Sequence, residues 1–158
     1  MIETEFGRWT LRLGVDSTRL AYSSIDVGSP ESCGCHACLN FAANRDANFP
    51  SAVRDFLTAA GISTDREAEI YHNCRLDSGL HSYGGWFHFV GEILSGGDAY
   101  VAIDERSGTH DLHDFGSNAL AGVSTKTALV SPAFDGHRIL QLEFAVEIPW
   151  VIDAAEVS

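Results

Sequence analysis

The sequence predicts an α+β fold: a largely antiparallel β-sheet or sandwich, with two or three helices inserted after an N-terminal hairpin. Residues near both ends alternate between apolar and polar side chains, with the period of two that a half-buried strand requires. The middle of the chain repeats its apolar residues with helical spacing instead. Strands and helices also occur in separate blocks without regular βα alternation, which is typical of α+β proteins.

The first elements are predicted to be strands. Residues 9–15 alternate as a strand with one buried face does. Asp16 and Ser17 have turn-forming side chains, so residues 18–25 (TRLAYSSI) are interpreted as a return strand. The segment 26–38 is rich in Gly, Ser and Pro and is predicted to be a loop.

Two or three helices are predicted next. Residues 48–62 (NFPSAVRDFLTAAGI) place their apolar side chains on one helical face, with Pro50 in the first turn and Gly61 as a left-handed stop. Residues 63–74 (STDREAEIYHNC) begin with the spacing of a capping box and are interpreted as a second helix. The segment 38–47 is also predicted to be helical.

The last part of the chain is predicted to be β-structure. Residues 86–94 (WFHFVGEIL) are apolar on both faces, as expected for a central strand. Residues 99–104 (AYVAID) are predicted to pair with them across a turn at residues 95–98. Residues 105–126 are polar and rich in turn formers, so at most short strands are expected there.

The C-terminal strand alternates regularly between residues 138 and 150 (RILQLEFAVEIPW). The polar side chains of this strand fall on one face and are Gln141, Glu143 and Glu147. Pro149 ends the strand or marks an edge.

Charge excludes several classes of partner. The 158 residues, expected to form a single domain, include 22 Asp and Glu against 10 Lys and Arg, for a formal net charge of -12. The few basic residues are scattered, so no nucleic acid and no anionic membrane surface is expected as a partner. A basic protein or a cation is compatible with this charge, and the oligomeric state is left open.

The N-terminus lacks the basic start and the unbroken apolar run of a signal peptide. A cytoplasmic location, in which thiols stay reduced, is therefore expected.

The four cysteines are the most specific chemical feature. Cys33, Cys35 and Cys38 lie within six positions, and Gly34 relieves the steric cost of a turn that points three sulfurs at one centre. Zn²⁺ binds four thiolate or imidazole ligands tetrahedrally, so the spacing predicts a structural zinc site. Cys74 is the first choice for the fourth ligand, because it is expected near the end of a helical segment that folds back. The alternative fourth ligands are His72, which follows the same argument, and His36, within the loop itself.

Three other interpretations of the cysteines stay open. Cys35 and Cys38 form a CxxC motif at the start of a predicted helix, which favours a thiol oxidoreductase. A thioredoxin-like protein, however, has a hydrophobic strand directly before this motif, and here a Gly- and Ser-rich segment precedes it. The cysteines could also form a disulfide or be ordinary thiols that behave as small apolar side chains.

Histidines supply two weaker candidate sites. The segment HDLHD combines imidazoles and carboxylates at His110, Asp111, His113 and Asp114, but a polar, solvated loop explains it more simply.

Tyr83, Trp86 and His88 could line a small cavity around the base His88, although a lone histidine on an apolar strand is more often a core residue. Motifs for nucleotide binding and for serine hydrolases are absent.

Three segments carry a resemblance to a known group of proteins: CGCHACLNF, YGGWFHFVGEI and LQLEFAVEIPW. Together they resemble a small bacterial protein family with no assigned function, over less than half of the chain. The resemblance implies an α+β domain with a cysteine cluster and transfers no substrate, activity or catalytic residue.

The function favoured by the sequence is that of an acidic, non-enzymatic domain that contains a structural zinc and binds another protein. A small metal-dependent enzyme with a site near Tyr83, Trp86 and His88 is the first alternative. A thiol oxidoreductase that uses Cys35 and Cys38 is the second.

Overall fold

The computed structural model describes residues 1–158 and confirms the α+β fold class. It contains nine strands: β1 Ile2–Phe6, β2 Trp9–Leu13, β3 Glu69–Arg75, β4 His81–Ser95, β5 Tyr100–Ala102, β6 Gly108–His110, β7 His113–Asp114, β8 Ala119–Ser124 and β9 Ile139–Ile148. Its four α-helices are α1 Val15–Tyr22, α2 Ser29–Cys33, α3 His36–Ala43 and α4 Ser51–Ala60, and single 3-10 turns span Arg45–Ala47 and Pro132–Phe134. None of the helices is both long enough and apolar enough to cross a membrane.

Seven strands form one antiparallel sheet in the order β1-β2-β4-β9-β8-β7, and β3 pairs with β4 outside this path. Strand β4 is 15 residues long and organises the sheet. On one side it pairs with β9 over most of its length. On its other side the first half of β4 pairs with β3 and the last part with β2.

Helix α1 fills the gap that β2 and β3 leave along this side of β4. The backbone N–H of Val90 donates to Thr18 Oγ1 (2.9 Å), and the carbonyl of His88 accepts from the hydroxyl of Tyr22 (2.7 Å). At the start of α1, the N–H of Gly14 donates to the carbonyl of Val90 (2.8 Å). Buried backbone groups need such partners, and here a helix provides what a strand would otherwise provide.

Helices α3 and α4 cover one face of the sheet and enclose an aromatic core. Phe144 of β9 packs against Phe41 of α3 and against Phe49 just before α4, with ring centroids 5.9 and 5.0 Å apart. Phe56 of α4 meets Phe89 of β4 edge-to-face at 5.6 Å. Odd-numbered residues of β4 and even-numbered residues of β9 face these helices, and their buried side chains belong to one continuous hydrophobic cluster.

The return strand predicted at residues 18–25 is wrong, because most of this segment belongs to α1. The partner of β2 precedes it in the chain: Phe6 pairs with Trp9 across a tight turn at Gly7 and Arg8. The segment forms a helix because Thr18 and Tyr22, one helical turn apart, both bond to the edge of β4.

The helix predicted at residues 63–74 is also wrong. Residues 69–75 form β3, which pairs with β4, while Glu67 is buried and forms an ion pair with Arg45 instead of a capping box. The open edge of β4 provides pairing energy that outweighs the local helical pattern. Cys74 and His72 therefore lie on a strand, not at the end of a helix.

Two smaller predictions need correction. Residues 100–102 do not pair with the central strand but form a separate hairpin with β6. The segment predicted to be a loop at residues 26–38 contains α2 and the start of α3.

The remaining element predictions are confirmed, namely the helices at residues 38–47 and 48–62 and the two main strands. Gly61 ends α4 with a φ of 82°, as expected for a left-handed stop. The polar face of β9 departs from expectation, because Gln141 and Glu143 are buried.

Candidate metal centre

The turn between α2 and α3 brings three cysteines together. Cys33 is the last residue of α2, and Gly34 follows it with a φ of 69°, a left-handed conformation that costs glycine little. Cys35 is the N-cap of α3 in an extended conformation, and Cys38 lies in the first turn of that helix. Two short helices joined by Gly34 and Cys35 thus bring three cysteine side chains close together.

The three Sγ atoms of Cys33, Cys35 and Cys38 all lie within 4.8 Å of one another. With Zn–S bonds of about 2.3 Å, tetrahedral zinc holds its sulfurs about 3.8 Å apart. The upper limit on the sulfur–sulfur distances is thus about 1 Å above the spacing in a loaded site, so binding zinc needs at most small side-chain movements. Cys33 and Cys35 are exposed, whereas Cys38 is buried, so the cluster can be reached from solvent.

The local environment shifts the pKa values of the Cys35 and Cys38 thiols in opposite directions. The backbone N–H of Cys38 and the neighbouring thiols lower the pKa of the Cys35 thiol, whereas burial raises the pKa of the Cys38 thiol. The start of α3 therefore favours the thiolate form at Cys35, which is the form that binds metal.

A hydrogen-bond network holds α3 against the sheet beside the cluster. The hydroxyl of Tyr83 donates to the carbonyl of Ala37 (2.7 Å), between the second and third cysteines. Asn40 is fully buried, donates to the carbonyl of Pro149 (3.1 Å) and accepts from the N–H of Val151 (2.6 Å). Asn40 was not predicted from the sequence, although a single polar residue within the apolar segment CLNFAA is a signal that could have identified it.

A chain of two histidines and a carboxylate lies next to Tyr83. His72 Nε2 is 2.9 Å from His81 Nδ1, and His81 Nε2 is 3.1 Å from Glu156 Oε1. A carboxylate can only accept, so neutral His81 carries its proton on Nε2 and accepts at Nδ1. His72 must then donate from Nε2, which leaves the lone pair of its Nδ1 free.

His72 and Cys74 lie on opposite faces of the sheet. Directly opposite residues of an antiparallel pair share a face. His72 is paired with Tyr83, whose ring it meets edge-on at 5.0 Å, on the face that carries α3. Cys74 is paired with Ser82 and so lies on the other face, beyond a bulge in β3.

The group of three sulfurs includes neither Cys74 nor His72 nor His36. His36 lies in the first turn of α3 and is exposed. The identity of a fourth ligand therefore stays a prediction.

Arg45 fixes the position of α2 relative to the rest of the site. Its guanidinium group makes a two-pronged hydrogen bond with Glu31 of α2 (2.6 and 2.7 Å). It also donates to both carboxylate oxygens of Glu67, at 2.8 and 3.0 Å. The side chain of Glu67 is fully buried, and burial raises the pKa of its carboxyl group. These contacts connect the cysteine loop to the segment that leads into β3.

Tyr83, Trp86 and His88 do not line a common cavity, which corrects the sequence-based enzyme hypothesis. Odd and even positions of β4 face opposite ways, so Tyr83 packs under α3 while Trp86 and His88 lie on the other face. His88 borders a cavity on that other face.

The HDLHD residues form no metal-binding group. His110 Nε2 is buried without a hydrogen-bond partner, 3.6 Å from Glu143 Oε1. His113 packs edge-on against Phe115, with ring centroids 4.6 Å apart. Both histidines therefore contact other parts of the fold. Asp111 and Asp114 are exposed, and Asp114 accepts a hydrogen bond from the backbone N–H of Gly116.

Comparisons with protein-family models, with curated protein sequences and with solved structures returned no match to this chain.

Proposed function

We propose that this chain is a zinc-binding domain in which Cys33, Cys35, Cys38 and His72 hold one structural Zn²⁺. The observation that carries the proposal is the convergence of three sulfur atoms within 4.8 Å on one short turn. Three thiolates and an imidazole form one of the common ligand sets of structural zinc.

The free lone pair on Nδ1 of His72 supports its role as the fourth ligand. Zinc-bound histidines almost always donate their other ring N–H to a hydrogen-bond acceptor. Here Nε2 of His72 donates to Nδ1 of His81, which in turn donates from Nε2 to Glu156. The packing of His72 on Tyr83, which itself bonds to Ala37 between the cysteines, supports the same assignment. Closing the site requires the His72 ring to approach the sulfurs. Cys74, on the opposite face of the sheet, would need a larger rearrangement.

A zinc ion bound in this way would link the turn between α2 and α3 to β3, and no disulfide joins these parts of the chain. In this proposal the metal stabilises a surface through which the domain binds another protein in the cytoplasm. A net charge of -12 favours a partner with a basic surface.

X-ray absorption spectroscopy of the purified, zinc-loaded protein tests the ligand set directly. We expect close to one zinc per chain, bound by three sulfurs and one nitrogen. The matched variants are Cys74→Ser, which should leave the spectrum unchanged, and His72→Asn, which should replace the nitrogen with an oxygen or weaken binding. A shell of four sulfurs that loses one in Cys74→Ser would overturn the assignment of His72, and a folded protein that binds no zinc would overturn the whole proposal.

A dithiol function is the second candidate, because Cys35 is exposed at the start of α3 while Cys38 is buried one turn further on. This asymmetry is typical of CxxC pairs in which the first thiolate attacks a disulfide. Oxidation of both thiols by glutathione disulfide would form one S–S bond and release two molecules of glutathione.

The two candidates differ in their dependence on metal. In a redox-active pair, mass spectrometry after treatment with glutathione disulfide should show a Cys35–Cys38 disulfide whether or not zinc is present. In the zinc-site proposal, bound zinc protects all three thiols from oxidation and from alkylation, and only chelation exposes them.

A further inference from the structure

A second candidate site lies at the gap in the sheet, separate from the cysteines. A cavity of about 260 Å³ opens beside β4 where α1 replaces a strand. Aromatic and aliphatic side chains form half of its lining: Tyr22, Ile25, Val27, Ala68, Leu129 and Phe134. The other half is polar and consists of Ser29, Ser32, Arg66, Glu67, His88 and Ser131.

The hydrogen bonds of His88 determine which of its ring nitrogens is free. The backbone N–H of Ala128 donates to Gln141 Oε1 (2.9 Å), which fixes the orientation of this amide. His88 Nε2 lies 2.8 Å from the same oxygen and must therefore donate to it. Neutral His88 thus carries its proton on Nε2, and its Nδ1 has a lone pair with no partner in the protein.

His88 is only 2% exposed, yet it lines the cavity. Because His88 lines the cavity and its Nε2 is engaged by Gln141, Nδ1 is the ring nitrogen left available to a ligand. Burial also lowers the pKa of His88, which favours the neutral ring. The cavity consequently offers one imidazole acceptor, held in place by Gln141, beside a wall of aromatic and aliphatic side chains.

The charges around the cavity are already paired. Arg66 forms an ion pair with Asp65 (2.7 Å) and donates to the carbonyl of Ile25 (2.6 Å), and Glu67 is paired with Arg45. A charged ligand would lose its hydration here without gaining a free counter-charge, which is costly. A neutral ligand avoids this cost.

We propose that this cavity binds a neutral, single-ring aromatic molecule with one hydroxyl or N–H group, which donates a hydrogen bond to Nδ1 of His88. The edge-on rings of Tyr22 and Phe134, 5.6 Å apart, provide an aromatic wall for the ligand ring. The volume fits one ring, since a cavity of about 150 Å³ holds benzene and pockets for larger ligands start at about 300 Å³. This proposal does not depend on zinc binding.

Phenol and its methyl ether anisole, which lacks the donor, are the probes for this site. Titration of the isotope-labelled protein followed by NMR should show phenol binding about 2- to 10-fold more tightly than anisole, the effect of one neutral hydrogen bond. The shift changes should involve residues of the cavity wall, and the ¹⁵N resonance of His88 Nδ1 should move with phenol. Equal affinities, binding elsewhere on the surface, or no binding of either probe would overturn the proposal.

The variant His88→Phe keeps an aromatic ring but has neither a donor nor an acceptor, and Gln141 Oε1 keeps the N–H of Ala128 as a partner. It should abolish the preference for phenol while leaving anisole affinity within about 2-fold. The matched control is His137→Phe, because His137 is exposed and lies outside the cavity lining. This control should retain the preference. A His88→Phe protein that still prefers phenol would overturn the assignment of the acceptor, and if that variant does not fold, the comparison of the two probes on the unmodified chain decides.

Discussion

Thr18 shows how much of this fold depends on single side chains at the gap beside β4. The residue is fully buried, and its hydroxyl donates to the carbonyl of Gly14 (2.9 Å) while it accepts from the N–H of Val90 (2.9 Å). The carbonyl of Gly14 also accepts from the backbone N–H of Thr18, whereas the N–H of Val90 depends on the threonine hydroxyl for its hydrogen bond. Loss of the hydroxyl would therefore leave the N–H of Val90, but not the carbonyl of Gly14, without a hydrogen-bond partner.

Thr18→Val should lower the free energy of unfolding by about 1 to 3 kcal/mol, because valine keeps the shape of threonine but leaves the buried N–H of Val90 without an acceptor. Urea denaturation measures the difference. The matched control is Thr58→Val on the exposed side of α4, which should change stability by less than about 0.5 kcal/mol. Equal effects of both substitutions would contradict a specific role of the Thr18 hydroxyl.

At the scale of secondary-structure elements, helix α2 has only five residues and is too short to be stable alone. It is held in place by Arg45, which binds Glu31 of α2 and the buried Glu67 at the same time. The side-chain hydrogen bonds from Arg45 lower the pKa of the Glu31 carboxyl below its ordinary value. The position of the cysteine turn thus depends on an ion pair.

The lowered pKa of Glu31 gives this ion pair a defined pH dependence. A carboxyl group whose pKa is lower in the folded state stabilises the protein above its unfolded pKa, about 4.5, and this contribution is lost as the pH falls through the folded pKa. Glu31→Gln should therefore melt at a lower temperature than the unmodified chain at neutral pH, and the difference should shrink below about pH 4.5. Asp77→Asn, at an exposed turn, is the control that should show no such trend. A difference that stays constant down to acidic pH would contradict this account.

The sequence predicted the elements whose local pattern agrees with their tertiary environment. Helix α4 is such a case, because its apolar face, its proline start and its glycine stop are all local. Strand β3 could not be predicted in this way, since residues 63–74 satisfy a helical capping pattern and residues 69–75 become a strand only through pairing with β4. Helix α1 likewise depends on the gap that β2 and β3 leave along β4, a strand far away in the sequence.

The candidate sites also combine features that the sequence predicts with features that it does not. The close grouping of Cys33, Cys35 and Cys38 follows from their spacing, which is local and could be predicted. The free lone pairs of His72 and His88 depend on partners distant in sequence, Glu156 and Gln141, whose roles no local pattern reveals. Gln141 in particular lies on the strand face that the alternation predicts to be polar and solvated.

At the scale of the whole molecule, the proposed zinc would act as a cross-link between a local turn and a strand that depends on contacts distant in sequence. The cysteine turn is a local feature of the sequence, whereas β3 forms only when it pairs with β4. A metal bound by Cys33, Cys35, Cys38 and His72 would therefore stabilise only the state in which both are in place. Metal binding and global folding should be coupled for this reason.

Zinc should therefore raise the melting temperature of the entire chain. At a free zinc concentration 100 times the dissociation constant, binding adds about 2.7 kcal/mol, which for a chain of this size corresponds to a rise of about 5 to 10 °C. Calorimetry of the chelator-treated protein with and without added zinc measures this rise, and Mg²⁺ at the same concentration should have no effect because it prefers oxygen ligands. Cys74→Ser should show the full rise and Cys35→Ser little or none. A melting temperature that is independent of zinc would mean that the three sulfurs, although close together, do not link the cysteine turn to the sheet.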